Sequence, residues 1–271
     1  MTTNSSSPSA PWSGMVPVDD TALYTVDSGG SGIPVIYLNG QFATLGYWDR
    51  VIAELGDGYR HITYDERARG RRSKPSADYS FESVVRDVDV VLAARGVDRA
   101  LVVGWSYGAF AAAHWASRNP RRALGAVLVE GAEPNDWLDE AMERRIRKLF
   151  RLLRPVTWLL RPTGLTPRLN AAQQAESNIE LGRIGSERAL GPVLDAVTVP
   201  TRYVLASGAS LGSKGDEQEK IRASLGPVLE RNPNIEISAK VASNHDWILK
   251  KDFRAVADAV REVAALGHAG R

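Results

Sequence analysis

The apolar run Ala100-Leu101-Val102-Val103 passes directly through Gly104-Trp105-Ser106-Tyr107-Gly108 into the small-residue stretch Ala109-Phe110-Ala111-Ala112-Ala113-His114-Trp115-Ala116. A short β-favouring run, two glycines at a tight spacing and a following alanine-rich stretch predict a buried strand, a sharp turn and a helix lying close on a sheet. Such a unit is half of a strand-helix-strand crossover, which commits the chain to a largely parallel sheet covered by helices.

The flanking sequence continues the alternation. ALYTVDSGG and PVIYLNG are β-rich runs separated by Gly-Ser-Gly, which reads as a hairpin. TLGYWDRVIAELG carries Leu45, Trp48, Val51, Ile52 and Leu55 at helical spacing, YRHITYDE reads as a strand, and a helix begins at Ser80 as N-cap and ends at Gly96. RALGAVLVEG is the strand after the alanine-rich helix. From Gly131 to about residue 198 the sequence offers Pro-interrupted helical stretches and no strand candidate. Alternation resumes with TRYVLAS, a helix over 216–230, NIEISAKV and a last helix DFRAVADAVREVAAL. The expected organisation is a flexible tail over 1–15, an α/β core over 16–131 and 199–271, and a helical cap inserted over 132–198.

Composition removes several classes. With no Cys there is no disulfide framework, thiolate metal site or cysteine nucleophile. No run of about 18 apolar residues occurs, and the first 15 residues lack the basic start and apolar stretch of a secretory signal. Cytoplasm is the expected location, without stable membrane insertion. H-E-x-x-H, G-x-G-x-x-G and the P-loop are absent in a suitable context, so no metal, nucleotide or flavin cofactor is expected. The net charge is +2, yet residues 141–170 hold seven Arg and one Lys against one Glu, so this one segment carries +7 and the remainder −5. A local excess of that kind differs from the domain-wide basicity of a nucleic-acid binder, and no nucleic-acid partner is expected.

The chemistry centres on Ser106. G-x-S-x-G between strand and helix holds a serine on a strained turn with its hydroxyl exposed at the helix N-terminus, where developing negative charge is favoured. The plainer alternative is a chance match on a surface turn, which the strand and helix on either side argue against. A serine hydroxyl needs a base, and the chain has His61, His114, His245 and His268. His61 falls in a strand, His114 in a helix and His268 in the tail. His245 alone sits in a short loop, VASNHDW, between a strand and the final helix, where an open α/β sheet presents its reactive groups.

Taken together, IYLNGQFAT, TYDERARGRRS, GWSYGA, AVLVEGA and SNHDW, in that order, resemble an α/β-hydrolase-fold serine hydrolase of the esterase, lactonase and epoxide-hydrolase-like group, from about residue 20 onward. The resemblance implies an α/β-hydrolase fold with an inserted cap, and backbone oxyanion donors at Gln41 and Tyr107. Asn39 departs from the family's histidine at the turn Asn39-Gly40-Gln41. Asp65, Arg67 and Gly70 match the family's turn after the fourth strand, with Ala68 replacing a glycine, and imply a bracing role. The family's usual triad acid is missing, because Gly208-Ala209-Ser210-Leu211 stands at its place. A second family location falls at Glu130, 24 residues after Ser106, which one helix and one strand bring back to the same sheet edge. Asp216 and Asp136 remain alternatives.

Within the insert, Ile146, Leu149, Phe150 and Leu153 recur at helical spacing with Arg144, Arg145, Arg147, Lys148, Arg151 and Arg154 between them, which makes a strongly amphipathic basic helix. The expectation is a cap helix with its apolar side on the body. Attraction to a membrane surface or an anionic substrate or carrier is the alternative. Phe42, Trp105, Phe150 and Trp158 are the aromatic candidates for a substrate wall. The expected activity is hydrolysis of an apolar small-molecule ester, lactone or thioester through an acyl-enzyme. A lyase, cyclase or carbon–carbon hydrolase on the same scaffold, and a catalytically silent binding protein, are the rival classes. Relatives that release halide or open epoxides use an aspartate nucleophile, and Ser106 stands against both.

Overall fold

A computed structural model describes residues 10–70, 72–160, 163, 166–208 and 217–269, the last stretch without the side chains of 217, 268 and 269. Eight strands form one sheet: β1 (Trp12–Val18), β2 (Thr21–Asp27), β3 (Ile33–Leu38), β4 (Tyr59–Tyr64), β5 (Ala100–Trp105), β6 (Ala123–Val129), β7 (Thr201–Ala206) and β8 (Ile235–Val241). Their spatial order is β1-β2-β4-β3-β5-β6-β7-β8. The β1/β2 and β2/β4 pairs are antiparallel, and every other pair is parallel. All residues of β5, β6 and β7 are buried, which explains why β5 and β6 read as unbroken apolar runs and not as alternating ones.

The helices are α1 (Asp49–Leu55), α2 (Phe81–Ala94), α3 (Tyr107–Arg118), α4 (Glu140–Leu160), α5 (Ala171–Ile184), α6 (Glu187–Asp195), α7 (Glu217–Ala223), α8 (Gly226–Arg231), α9 (Ile248–Lys251) and α10 (Phe253–Ala269). Two cores lie on the two sheet faces. On one, Val84, Val88 and Leu92 of α2 and the alanines of α3 meet Ile36, Val102 and Leu128. On the other, Val51 of α1 and Val256, Val260 and Val263 of α10 meet Val35, Val103 and Val127. Ser80 caps α2 as its sequence predicts, accepting a hydrogen bond from the Ser83 N–H.

Three sequence expectations need correction. The tail ends earlier than residue 15, because Trp12–Val18 pairs along its whole length with β2 and buries Val16 and Val18. The hairpin is formed by β1 and β2 around Asp19-Asp20. ALYTVD and PVIYL do not pair with each other, since β4 inserts between β2 and β3. The helix expected over 216–230 is two helices, α7 and α8, with residue 216 outside the described residues.

Between β6 and β7 the described residues form helices only. Leu190 and Leu194 of α6 belong to the core under α3, so α6 is anchored in the body. Helix α5 begins with a full capping box, Asn170 accepting from the Gln173 N–H and Gln173 from the Asn170 N–H. Helix α4 lies along α5, and none of its residues is fully buried.

Candidate active site

The carboxyl ends of β3, β5, β6 and β8 converge on one edge of the sheet, and the residues of interest leave from those ends. Ser106 follows β5 with φ 55° and ψ −119°, a strained backbone for a residue with a side chain. Its neighbours explain how the turn is held. A Cβ on Gly104 would lie 2.1 Å from the Gly108 carbonyl oxygen, and one on Gly108 would lie 2.2 Å from the Leu38 oxygen. Only glycines let α3 start this close to the ends of β5 and β3. That approach brings the N-terminus of α3, with Tyr107 at its first position, beside the Asn39-Gly40-Gln41 turn.

Asn39 braces this turn in place of the family's histidine. Its Nδ2 donates to the Tyr64 carbonyl at 2.7 Å, and its Oδ1 accepts from Trp48 Nε1 at 3.0 Å, so the end of β3 is tied to the end of β4 and to the segment entering α1. Asp65 accepts from the Leu45 N–H at 2.9 Å. Arg67 forms a two-pronged, buried pair with Asp87 at 2.7 Å per contact and also meets Asp19. Asp65 and Arg67 therefore tie loops and helices together away from Ser106. Ala68 has φ 57°, the left-handed conformation that the glycine of related sequences adopts freely. The Gln41 side chain is turned to the insert, its Nε2 donating to Ser177 Oγ on α5 at 2.9 Å.

His245 sits in the loop after β8 and lines one cavity, about 190 Å³ in volume, with Ser106, Glu130, Glu133 and Arg222. Its Nδ1 is 3.8 Å from Glu130 Oε2, just beyond hydrogen-bond range. Trp105 holds this loop: its Nε1 donates to the His245 carbonyl at 3.2 Å, its ring lies 5.5 Å from the imidazole, and Tyr47 stacks on it at 5.4 Å. The other histidines are placed otherwise. His61 is bonded at both nitrogens, to the Tyr37 hydroxyl and the Gly56 carbonyl, and burial lowers its pKa. His114 is buried in α3, where burial and then Arg118 push its pKa down to about 4. The side chain of His268 lies outside the described residues.

Glu130 follows β6 and is buried. Arg222 of α7 grips its carboxylate through Nε at 3.1 Å and Nη2 at 3.0 Å, and the Ala206 N–H donates to Oε1. Burial raises the carboxyl's pKa, but His245, Arg222 and Ala206 together outweigh it and hold Glu130 below the ordinary value. Of the alternative acids, Asp136 accepts the Glu187 N–H at the start of α6, and Asp216 lies outside the described residues. Sequence reasoning missed Arg222, which stands in a charged helix with nothing local to mark it. It also missed Glu133, three residues beyond Glu130, whose carboxyl is raised to about 8 by burial and then by the charge of Glu130.

The four aromatic candidates are not gathered around Ser106. Phe42 and Phe150 pack together, ring centres 6.4 Å apart, where the body meets α4. Trp105 lies beneath the His245 loop. Trp158 is 69% exposed and borders a separate cavity of about 700 Å³ between α4 and the start of α5, with Arg154 and Asn170. The Ser106 cavity instead takes its apolar surface from Phe110, Trp137, Leu181 and Ile221. Periodicity identifies which residues are apolar but not which way the insert turns them.

Comparison with known proteins agrees with this architecture. The sequence model of the family described as alpha/beta hydrolase fold matches residues 33–175. A haloalkane dehalogenase from Mesorhizobium japonicum is 32% identical over 146 residues, covering 54% of this chain and 47% of that protein. The chain spans less than half the length of the curated relatives it matches first. Among solved structures, a haloalkane dehalogenase from Bradyrhizobium elkani superimposes with a TM-score of 0.75 at 17% identity, covering 97% of this chain and all of that one. An esterase from Exiguobacterium antarcticum does so with a TM-score of 0.71 at 18% identity, over 92% and 98% of the two chains.

Proposed function

The chain belongs to the alpha/beta hydrolase fold family, and on that basis we propose that it is a serine hydrolase cleaving a carboxylic ester, lactone or thioester of an apolar small molecule through an acyl-enzyme. The observation that carries this reading is the one cavity lined by both Ser106, strained on its turn, and His245, with Glu130 Oε2 3.8 Å from the Nδ1 of that histidine. In this reading Nε2 of His245 takes the Ser106 proton as Oγ bonds to the substrate carbonyl carbon. The backbone N–H groups of Gln41 and Tyr107 receive the oxyanion, aided by the positive end of α3. His245 then returns the proton to the leaving alkoxide or thiolate. Water repeats the cycle and releases the acid, with Glu130 holding the imidazole in orientation throughout.

The names of the relatives leave two chemistries to weigh, ester cleavage and dehalogenation. A serine that displaced halide from an alkyl carbon would be left as an alkyl ether, which water attacking a carbonyl cannot release, whereas an acyl-serine turns over. Ser106 therefore favours acyl transfer. No metal or organic cofactor has a role in this scheme, and the reading includes no nucleic-acid partner. The apolar side chains of Phe110, Trp137, Leu181 and Ile221 suit an apolar acyl or alcohol group. The test is a panel of p-nitrophenyl esters of graded acyl length, with thioesters and lactones alongside, assayed on the wild type and on Ser106→Ala. Turnover that rises with acyl length and vanishes in the variant supports the proposal, and equal turnover in both refutes it.

A further inference from the structure

Helix α4 is basic, amphipathic and poorly covered. Leu149, Leu152, Leu153, Val156 and Leu159 are each 39–69% exposed, and their steps of three, one, three and three residues keep them within about 120° of the helix circumference, on one continuous side. This corrects in part the expectation that the stripe of Ile146, Leu149, Phe150 and Leu153 seats on the body: Phe150 packs on Phe42, while Leu149 and Leu153 are exposed. The helix rests on α5 and on Phe42 by the edge that carries Phe150, and by the pairs of Arg147 with Glu176 and Glu143 with Arg183. Its leucine-rich side is left facing outward.

The charges around that side are as informative as its leucines. Arg144 and Arg147 meet acidic partners, but Arg145, Lys148, Arg151 and Arg154 form no ion pair among the described residues. Arg145 and Lys148 lie next to the leucines by helical spacing. The others stand within about one helix diameter, roughly a Debye length at physiological salt. No helix among the described residues is long and apolar enough to cross a membrane, so a helix of this composition lies along an interface and does not span it.

We infer that α4 docks the protein on an anionic phospholipid surface, with Leu149, Leu152, Leu153 and Val156 entering the headgroup layer and the neighbouring Arg and Lys side chains meeting lipid phosphates. Two features favour a lipid surface over other occupants. A second copy docked through the same face would bring two strongly basic helices together. And a single helix resting on one edge presents a ridge, which suits a deformable planar layer better than it suits a protein groove. Phe150, on the adjoining edge, touches Phe42, the neighbour of Gln41. Docking therefore turns the side of the body that holds the Gln41 turn toward the lipid. If the proposed esterase reading holds, apolar esters dissolved in the bilayer are its substrate source, but the docking itself does not depend on any reaction.

The test is flotation of the full chain with two kinds of vesicle, phosphatidylcholine alone and phosphatidylcholine with phosphatidylglycerol at about 30%, since electrostatic attraction to anionic lipid distinguishes them. The protein is expected to float with the anionic vesicles, at least about tenfold more than with the neutral ones, and to be released by about 0.5 M salt. Leu152→Glu with Val156→Glu should abolish flotation, and Arg145→Gln with Lys148→Gln should weaken it severalfold. Both double variants should keep the wild-type melting curve and the wild-type turnover of a soluble short-chain ester, because these side chains face solvent. The wild type failing to float with anionic vesicles overturns the inference whatever the variants do. Equal flotation with neutral vesicles contradicts its electrostatic part. Self-association, or capture of a purified acidic carrier protein, that is lost in Leu152→Glu without any vesicle binding assigns the face to a protein and overturns it as well. Loss of vesicle binding with intact ester turnover, and loss of turnover with intact vesicle binding, separate this inference from the proposed activity.

Discussion

Arg222 and His245 approach the Glu130 carboxylate together: Arg222 donates to both oxygens, at 3.1 and 3.0 Å, while His245 Nδ1 stands 3.8 Å from Oε2. The carboxylate is thus fixed by a cation and by the Ala206 N–H before it engages the imidazole. That arrangement keeps Glu130 ionised, at the cost of sharing it between two partners.

On the proposed mechanism, Glu130→Gln should lower kcat for the preferred ester by roughly 10²- to 10⁴-fold with phosphonate labelling of Ser106 still measurable, because there the histidine would lose its orienting anion while the serine stays in place. Arg222→Gln should be milder. Glu130's depressed pKa means that its contribution is present above about 4.5 and is lost as pH falls through the folded-state value. Removing the guanidinium raises that value, so the acid limb of the kcat/KM profile should move to higher pH in Arg222→Gln. A profile that does not move would show that the clamp leaves the ionisation of Glu130 unaffected.

Glu133 titrates in the opposite sense. Its folded pKa is raised to about 8 from an ordinary 4.5, so its contribution to stability is full below about 4.5 and is lost as pH rises through about 8. Replacing it with the neutral near-isostere in Glu133→Gln should therefore raise the melting temperature relative to wild type by an increasing margin between those limits. Buried Glu66, also raised to about 8, keeps a similar slope in both proteins and cancels in the difference. The same variant should lose any alkaline fall in kcat/KM near pH 8, since a second carboxylate beside Glu130 opposes the oxyanion. A wild-type and variant difference that is flat with pH contradicts a buried, protonated Glu133.

Asn39→Ala removes a donor to the Tyr64 carbonyl and the acceptor of Trp48 Nε1, both in the interior. Leaving those partners unsatisfied should cost about 2–3 kcal/mol, which lowers the melting temperature by roughly 4–5 °C in a chain of this size. Activity should fall too, because the same turn carries the Gln41 N–H. A variant that melts normally would mean that water replaces both bonds.

What the sequence revealed and concealed follows from how local each feature is. The Ser106 turn is written in five consecutive residues between a strand and a helix, and its strained φ follows from that context. His245 could be singled out because four histidines had to be sorted and three fall in unsuitable elements. Glu130 needed one longer step, from a strand end back to the sheet edge beside Ser106. Arg222 could not be found this way: it reaches Glu130 across 92 residues from a helix whose sequence, EQEKIRA, reads as a solvated surface. The β1/β2 hairpin was hidden for a similar reason. Gly29, Gly30 and Gly32 mimic a turn between β2 and β3, while the true partner of β2 on that side, β4, comes about 30 residues later. In α4 the 3.6-residue period identifies a stripe of leucines, but periodicity is the same whether a stripe is covered by protein or left for another surface.

The proposed role of Ser106 as the nucleophile of an acyl-enzyme can be read by intact-protein mass spectrometry after treatment with a fluorophosphonate. One adduct should form, mapping by peptide sequencing to Ser106, with loss of ester turnover in proportion to labelling and no adduct in Ser106→Ala. Stoichiometric labelling that persists in Ser106→Ala, or full turnover by a protein labelled at Ser106, would rule Ser106 out as the nucleophile.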